Sequence, residues 1–124
     1  KITDHPGEDK DIIAAAMEDA DAVVQVFFVR DGKLIGRDHF YMKSAPGENR
    51  KGILSSFLKQ FYAGTPFIPK EIMLQEEVED MELIAKWLES RKGKKSAYFC
   101  TQEGYKGKAG RNGIPQCKIG FKAG

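Results

Sequence analysis

An Asp-Gly turn between two strand-like runs is the feature that most constrains how this chain of 124 residues can fold. The first run begins at Ala22 and is rich in Val and Phe, the turn is Arg30-Asp31-Gly32-Lys33, and the second run ends in Phe40-Tyr41-Met42. Gly tolerates the positive φ that such a tight turn requires, and β-branched and aromatic side chains favour strands. Residues 22–42 therefore predict a β-hairpin on which the other elements pack.

Length and charge narrow the class of protein. A chain of this length predicts one domain with its own core. The formal net charge is +2, but residues 1–95 hold 15 Lys+Arg and 17 Asp+Glu, whereas residues 96–124 hold 5 Lys+Arg and only Glu103. A nearly neutral body gives no strong electrostatic case for nucleic-acid binding, because the basic character belongs to the tail.

The sequence also bears on compartment and redox state. No stretch approaches the roughly 20 apolar residues of a membrane span, and the first residues do not resemble a signal peptide. We therefore expect a cytoplasmic protein with no membrane contact.

Cys100 and Cys117 lack the spacing of a zinc site, and we expect both to be reduced. Because the chain does not begin with Met, we expect a fragment or a processed product.

Apolar spacing predicts the elements on either side of the hairpin. Residues 12–17 predict a first strand, with one helical turn as the alternative. Two apolar stripes at helical spacing predict two helices, with a short strand at 71–75 between them. Gly64 and Gly93 are placed to end these helices, and Asp80 to cap the second. The stripes are Ile53, Leu54, Phe57, Leu58 and Phe61, then Leu83, Ile84, Trp87 and Leu88.

The predicted fold class is α/β. With a last strand at 96–101, the order β-β-β-α-β-α-β is typical of a mixed sheet and occurs in ribonuclease H-like folds. Such a fold usually ends in one more helix, whereas residues 104–124 are rich in Gly and show no helical period. We therefore expect a domain over residues 1–95, and over 96–124 a last strand followed by an irregular Gly- and Lys-rich tail in place of the final helix.

Two stretches identify a family. FFVRDGKLIGRDHF at 27–40 and ILSSFLKQFYAGTPFIPKEIML at 53–74 closely resemble the central region of the UvrC subunit of the bacterial excision nuclease, and the resemblance extends from about Gly7 to Gly93. It implies a ribonuclease H-like, non-catalytic scaffold domain of a subunit that joins UvrB on damaged DNA and incises the strand on both sides of the lesion. The implied partners are UvrB, damaged DNA and the neighbouring UvrC domains.

The tail departs from this family. The family continues with a strand, a turn and a helix, which the residues after Gly93 do not spell. Codons can nevertheless be chosen for residues 95–124 that encode this family pattern when they are read one nucleotide later. We therefore hypothesise that the residues from about Lys95 onward are read in a shifted frame.

The acids of the predicted sheet are the candidates for catalysis. A ribonuclease H-like nuclease needs several carboxylates that converge on two metal ions, usually beginning with an Asp inside the first strand. Asp11 lies only at the edge of that strand, and Asp38, Glu48 and Glu71 are its conceivable partners. We interpret these acids as solvated, and predict no catalytic residue, metal site or cofactor. A metal-dependent nuclease with a non-standard carboxylate set is the alternative.

Two further groups are candidate contacts. Basic side chains near the hairpin and the first helix are candidates for DNA or partner contacts, with a solvated surface as the alternative. An aromatic and Pro-containing loop after the first helix either packs within the domain or docks against a neighbouring domain. A small nucleic-acid-binding module is a third possible function. The basic candidates are Arg30, Lys33, Arg37, Arg50, Lys51 and Lys59, and the loop candidates are Phe61, Tyr62, Phe67, Ile68 and Pro69.

Overall fold

The computed structural model describes residues 7–101 and 116–122, which form six strands and two helices. The predicted order β-β-β-α-β-α-β is confirmed, and one more strand follows it. The strands are β1 Lys10–Glu18, β2 Asp21–Arg30, β3 Lys33–Lys43, β4 Glu71–Leu74, β5 Ser96–Cys100 and β6 Cys117–Phe121, and the helices are α1 Arg50–Ala63 and α2 Met81–Lys92.

The predicted hairpin is the pair of β2 and β3. Asp31 and Gly32 form its turn with φ of 56° and 79°, which is the left-handed conformation that a two-residue hairpin turn requires. The Gly32 amide also donates a 2.9 Å hydrogen bond to the Glu8 carbonyl, which holds the turn against the segment before β1. The predicted first strand is confirmed within β1, which pairs antiparallel with β2.

The six strands form one mixed sheet in the order β3-β2-β1-β4-β6-β5. β4 runs parallel to β1, and the other neighbouring pairs are antiparallel. Both helices pack on one face, because alternate residues such as Ile13, Val24 and Ile72 join Leu58 of α1 and Leu88 of α2 in one buried cluster. The other face is uncovered in the part of the chain that the structure describes.

The observed helix ends agree only in part with the ends and caps that the sequence predicts. Asn49 caps α1 through a 3.1 Å hydrogen bond from the Gly52 amide to its side chain, and Gly93 ends α2 with a φ of 78°. Gly64 follows α1, but its φ of −98° is not left-handed. Asp80 precedes α2 without capping it, because its backbone has a φ of 59° and its side chain makes no capping hydrogen bond.

Neither of these helices is long and apolar enough to cross a membrane.

The tail contains a strand that sequence reasoning did not predict. β6 lies between β4 and β5 and pairs antiparallel with both. Its register places Cys117 opposite Cys100, and the two form a disulfide. The expectation of an irregular tail is therefore wrong for residues 117–121, and the expectation of reduced cysteines is wrong for this structure. Most of the predicted irregular segment, 102–115, lies outside the described residues.

Candidate functional site

A buried carboxylate lies at the start of the first strand. Asp11 is 1% exposed, and it faces the helices because strand alternation turns it inward with Ile13. Its Oδ2 accepts a 2.6 Å hydrogen bond from the Tyr62 hydroxyl of α1, and its Oδ1 accepts one of 2.9 Å from Nη1 of Arg30. The interpretation of Asp11 as a solvated acid is therefore wrong, since both of its oxygens are bound within the domain.

The Arg30 guanidinium extends this cluster to the surface. The two hydrogens of its Nη1 are shared among three acceptors, because the carbonyls of Val29 and Lys10 also lie within hydrogen-bond distance, at 2.8 Å and 3.3 Å. The guanidinium carbon lies 4.7 Å from the ring centroid of Phe67. Because Asp11 balances its charge, Arg30 is less available to a phosphate than its position beside the hairpin turn indicates.

The cluster also fixes the protonation of Tyr62. Burial raises the pKa of Tyr62 well above its ordinary value, and the negative charge of Asp11 and the hydrogen bond to it raise this pKa further, whereas Arg30 opposes the change. The phenol is consequently held in the protonated form, in which it can donate to Asp11.

The other three candidate acids are engaged elsewhere. Asp38 accepts a 2.8 Å hydrogen bond from the amide of His39, and Glu48 accepts one of 2.8 Å from the amide of Ala45. Glu71 Oε2 lies 3.4 Å from Nζ of Lys118. β3 is two strands from β1, on the order of 10 Å across the sheet. Among the described residues, no group of three or more His, Cys, Asp or Glu could hold a metal ion.

The predicted basic residues are not all brought together. Besides Arg30, Arg50 pairs with Glu76, and Lys59 lies 3.8 Å from Asp80. The other three are exposed and lie in different places, with Lys33 at the hairpin turn, Arg37 on the uncovered face of β3 and Lys51 in the first turn of α1. Arg30 and Lys33 are cross-strand neighbours at the turn, whereas the other four lie on β3 and α1.

The predicted docking loop is wrong for Phe61 and Tyr62, which lie inside α1, and its residues belong mainly to the core. Tyr62, Ile68 and Pro69 are buried, and Phe61 is half-buried between the rings of Phe28, Phe40, Phe57 and Tyr62. This burial supports the packing interpretation for four of the five residues. Phe67 is 47% exposed and is the loop member that a partner could reach.

Sequence reasoning missed a second group of cations, beside Phe67. Lys92 Nζ donates a 2.6 Å hydrogen bond to the Ile68 carbonyl, Lys70 Nζ donates one of 2.8 Å to the Gly7 carbonyl, and Arg91 donates to the Tyr62 carbonyl. From the sequence alone, Arg91 and Lys92 indicate only that cations lie at the end of a helix, where they interact favourably with the helix dipole. Their closeness to Lys70 depends on the topology, and no local signal reveals it.

The chain matches the family model described as the UvrC ribonuclease H-like domain over residues 9–110. It is 53% identical over 108 residues to UvrABC system protein C of Lachnospira eligens, which covers 87% of this chain and 18% of the relative. The corresponding protein of Alkaliphilus oremlandii is 42% identical over 106 residues, or 86% of this chain and 17% of the relative.

The chain therefore spans less than a fifth of the length of these relatives. No solved structure matches the chain significantly. The family match covers most of the chain, and it includes the hairpin, both helices and the Asp11, Arg30 and Tyr62 cluster. The chain belongs to the family of UvrC ribonuclease H-like domains.

Proposed function

We propose that this chain is a non-catalytic scaffold and interaction domain of a UvrC excision nuclease subunit in bacterial nucleotide excision repair. In this role it positions the neighbouring nuclease modules of the subunit on damaged DNA, together with UvrB. Membership of the family supports the assignment to excision repair. The geometry around Asp11 supports the non-catalytic role.

The burial of Asp11 and the hydrogen bonds to both of its oxygens are the main support for the non-catalytic role. A carboxylate that binds a catalytic metal needs a free oxygen directed at an open site. Asp11 is buried instead, and Tyr62 and Arg30 take one oxygen each. The acid that a nuclease of this fold would need in its first strand thus joins β1, β2 and α1, which is a structural role.

The uncovered face of the sheet supports an interaction role. The strand register aligns one row of residues on this face across all six strands. Phe99 and Ile12 in this row are 67% and 36% exposed. Because the matched part of this chain makes up only 18% of the length of the Lachnospira eligens relative, we assign this face to a neighbouring domain of the same subunit. The row is Arg37, Phe27, Ile12, Met73, Lys118 and Phe99.

Damage incision by the complete subunit tests the non-catalytic role. Asp38→Asn and Glu71→Gln remove the charges of two candidate acids, and we expect both incisions to continue at the unsubstituted rate with magnesium or manganese. Selective loss of one incision in a variant with an unchanged unfolding midpoint would overturn the proposal, because it would give that carboxylate a catalytic role.

A charge placed on the uncovered face tests the interaction role. Phe99→Glu should lower incision by the complete subunit without changing the stability of the domain. Leu83→Glu is the matched control, because Leu83 is 68% exposed on α2, which packs on the opposite side of the sheet. Equal incision by the two variants would argue against a neighbouring domain on this face.

A further inference from the structure

One end of the sheet collects cations from several segments of the chain. β1 and β4 begin at this end, and β2, β6 and both helices finish there. The Phe121 amide donates a 3.2 Å hydrogen bond to the Lys70 carbonyl, and the Lys122 amide donates one of 2.8 Å to the Lys95 carbonyl. We name this surface the cationic end. Its members are Lys70, Arg91, Lys92, Lys94, Lys95 and Lys122.

The acids that act on the cationic end, Asp9 on Lys92 and Glu89 on Lys95, are fewer than its six cations, so a net positive charge remains. Lys70, Arg91 and Lys92 donate to main-chain carbonyls, which hold the side chains without neutralising them. In the described ranges, every ion pair engages a cation outside this group. The hydrogen bonds therefore fix three of these cations in place while their positive charge stays available to an anion.

The electrostatics of Lys92 agree with this geometry. Burial lowers the pKa of Lys92, and the positive charges of Lys94 and Lys70 lower it further, whereas Asp9 acts in the opposite direction. These cations are thus close enough to repel one another. An anion bound among them would relieve this repulsion.

An exposed aromatic ring lies within the same surface. Phe67 is 47% exposed, and its ring centroid lies 4.7 Å from the Arg30 guanidinium and 5.9 Å from Nζ of Lys92. Proteins that bind single-stranded nucleic acid combine a cationic groove that follows the phosphates with aromatic rings on which bases stack. An acidic peptide would use the cations but would have no planar base to place on the ring.

We propose that the cationic end binds the phosphodiester backbone of a single-stranded nucleic acid and that Phe67 stacks on one of its bases. This inference rests on the proposed function for its biological partner, DNA under repair. Binding by the chain needs neither incision nor metal, so the two proposals can fail independently.

Salt-dependent binding of a fluorescent oligothymidylate to the complete chain tests the inference. The triple variant Lys70→Gln, Lys94→Gln, Lys122→Gln should bind about tenfold more weakly at low salt, and the slope of log K against log salt should fall by about 2, since each phosphate contact on a single strand contributes about 0.7. Phe67→Leu should weaken binding about fivefold or more through lost stacking.

Two triple variants with the same change in charge are the controls. Arg37→Gln, Lys51→Gln, Lys86→Gln removes exposed cations elsewhere on the domain, and Lys106→Gln, Lys108→Gln, Arg111→Gln removes cations of the tail. Loss of binding confined to the cationic-end triple and Phe67→Leu would support the inference. An equal loss in all three triples, a loss confined to the tail triple, or equal competition by polyglutamate would overturn it.

Discussion

The hydroxyl of Tyr62 donates a 2.6 Å hydrogen bond to the buried carboxylate of Asp11 across a separation of 51 residues. Through this bond the last turn of α1 is fixed to the first strand, and Arg30 adds the end of β2 to the same carboxylate. Three elements of the domain thus meet at one buried acid.

Tyr62→Phe should destabilise the domain by about 1–3 kcal/mol, because it leaves one oxygen of a buried carboxylate without a donor. Urea unfolding followed by circular dichroism measures this change in the free energy of unfolding. Tyr41→Phe is the matched control, because Tyr41 is 80% exposed and its substitution should change stability by less than about 0.5 kcal/mol. Equal stability of the two variants would contradict a role for the Asp11 contact.

The same contact predicts how stability depends on alkaline pH. The pKa of Tyr62 is raised above 10.0 in the folded domain, so the unfolded chain loses this proton at a lower pH than the folded one. The contribution of Tyr62 is complete below about pH 9 and declines as pH rises above the unfolded value. Unfolding measured between neutral and alkaline pH should therefore show a steeper loss of stability in the unsubstituted chain than in Tyr62→Phe. Parallel curves of stability against pH for the two proteins would contradict this role of Tyr62.

The hairpin turn predicts different costs for two glycine substitutions. Gly32→Ala should destabilise the domain by about 1–2 kcal/mol, because Gly32 has a φ of 79° and a Cβ is strained there. Gly36→Ala is the control in the following strand, since a Cβ at Gly36 meets no atom within 4 Å. Thermal unfolding of both variants measures the difference, and a Gly36→Ala variant that is as unstable as Gly32→Ala would show that the turn conformation is not the cause.

The disulfide predicts a redox-dependent stability. Cys100 and Cys117 are 17 positions apart, and a bridge that closes a loop of this size stabilises by about 3 kcal/mol. The unfolding midpoint should therefore fall when a reductant is added. The double variant Cys100→Ser, Cys117→Ser should already be less stable and should not respond to reductant. Two free thiols in the native oxidised protein would contradict the pairing.

The reading frame of the tail also stays a prediction. We expect the coding DNA after the codon for Lys95 to encode the strand, turn and helix of the family when it is read one nucleotide later. The family match continues to residue 110, so similarity does not stop at the proposed shift. Sequencing of the gene decides the point, and a shifted frame that encodes no such helix would end the hypothesis.

Sequence reasoning succeeded where the determinants are local. The Asp31-Gly32 turn selects its hairpin through backbone conformation, and the apolar stripe of α1 follows from helical spacing alone. It failed at Asp80, where a residue suited to capping has a left-handed backbone and makes no capping hydrogen bond. Composition gives the type of residue that a cap prefers, but the path of the preceding chain decides whether that residue can cap.

The candidate site was less predictable, because its contacts join distant segments. Burial of Asp11 depends on Tyr62 and Arg30, and neither partner follows from the sequence around Asp11. The cations of Lys70 and Lys122 become neighbours only when β6 enters the sheet beside β4. A Gly-rich tail gave no strand signal for β6, so the surface built on it could not be predicted.

The place of β6 between β4 and β5 implies an order of assembly for the sheet. β1, β2 and β3 pair through short connections, whereas β6 pairs Gly120 with Glu71 of β4. Because closing long loops slows folding, we expect the three-stranded meander to form early and β6 to join late. Until it joins, β4 presents an open strand edge, and another chain could pair there first. The slowest step in folding would then also be the step most exposed to aggregation.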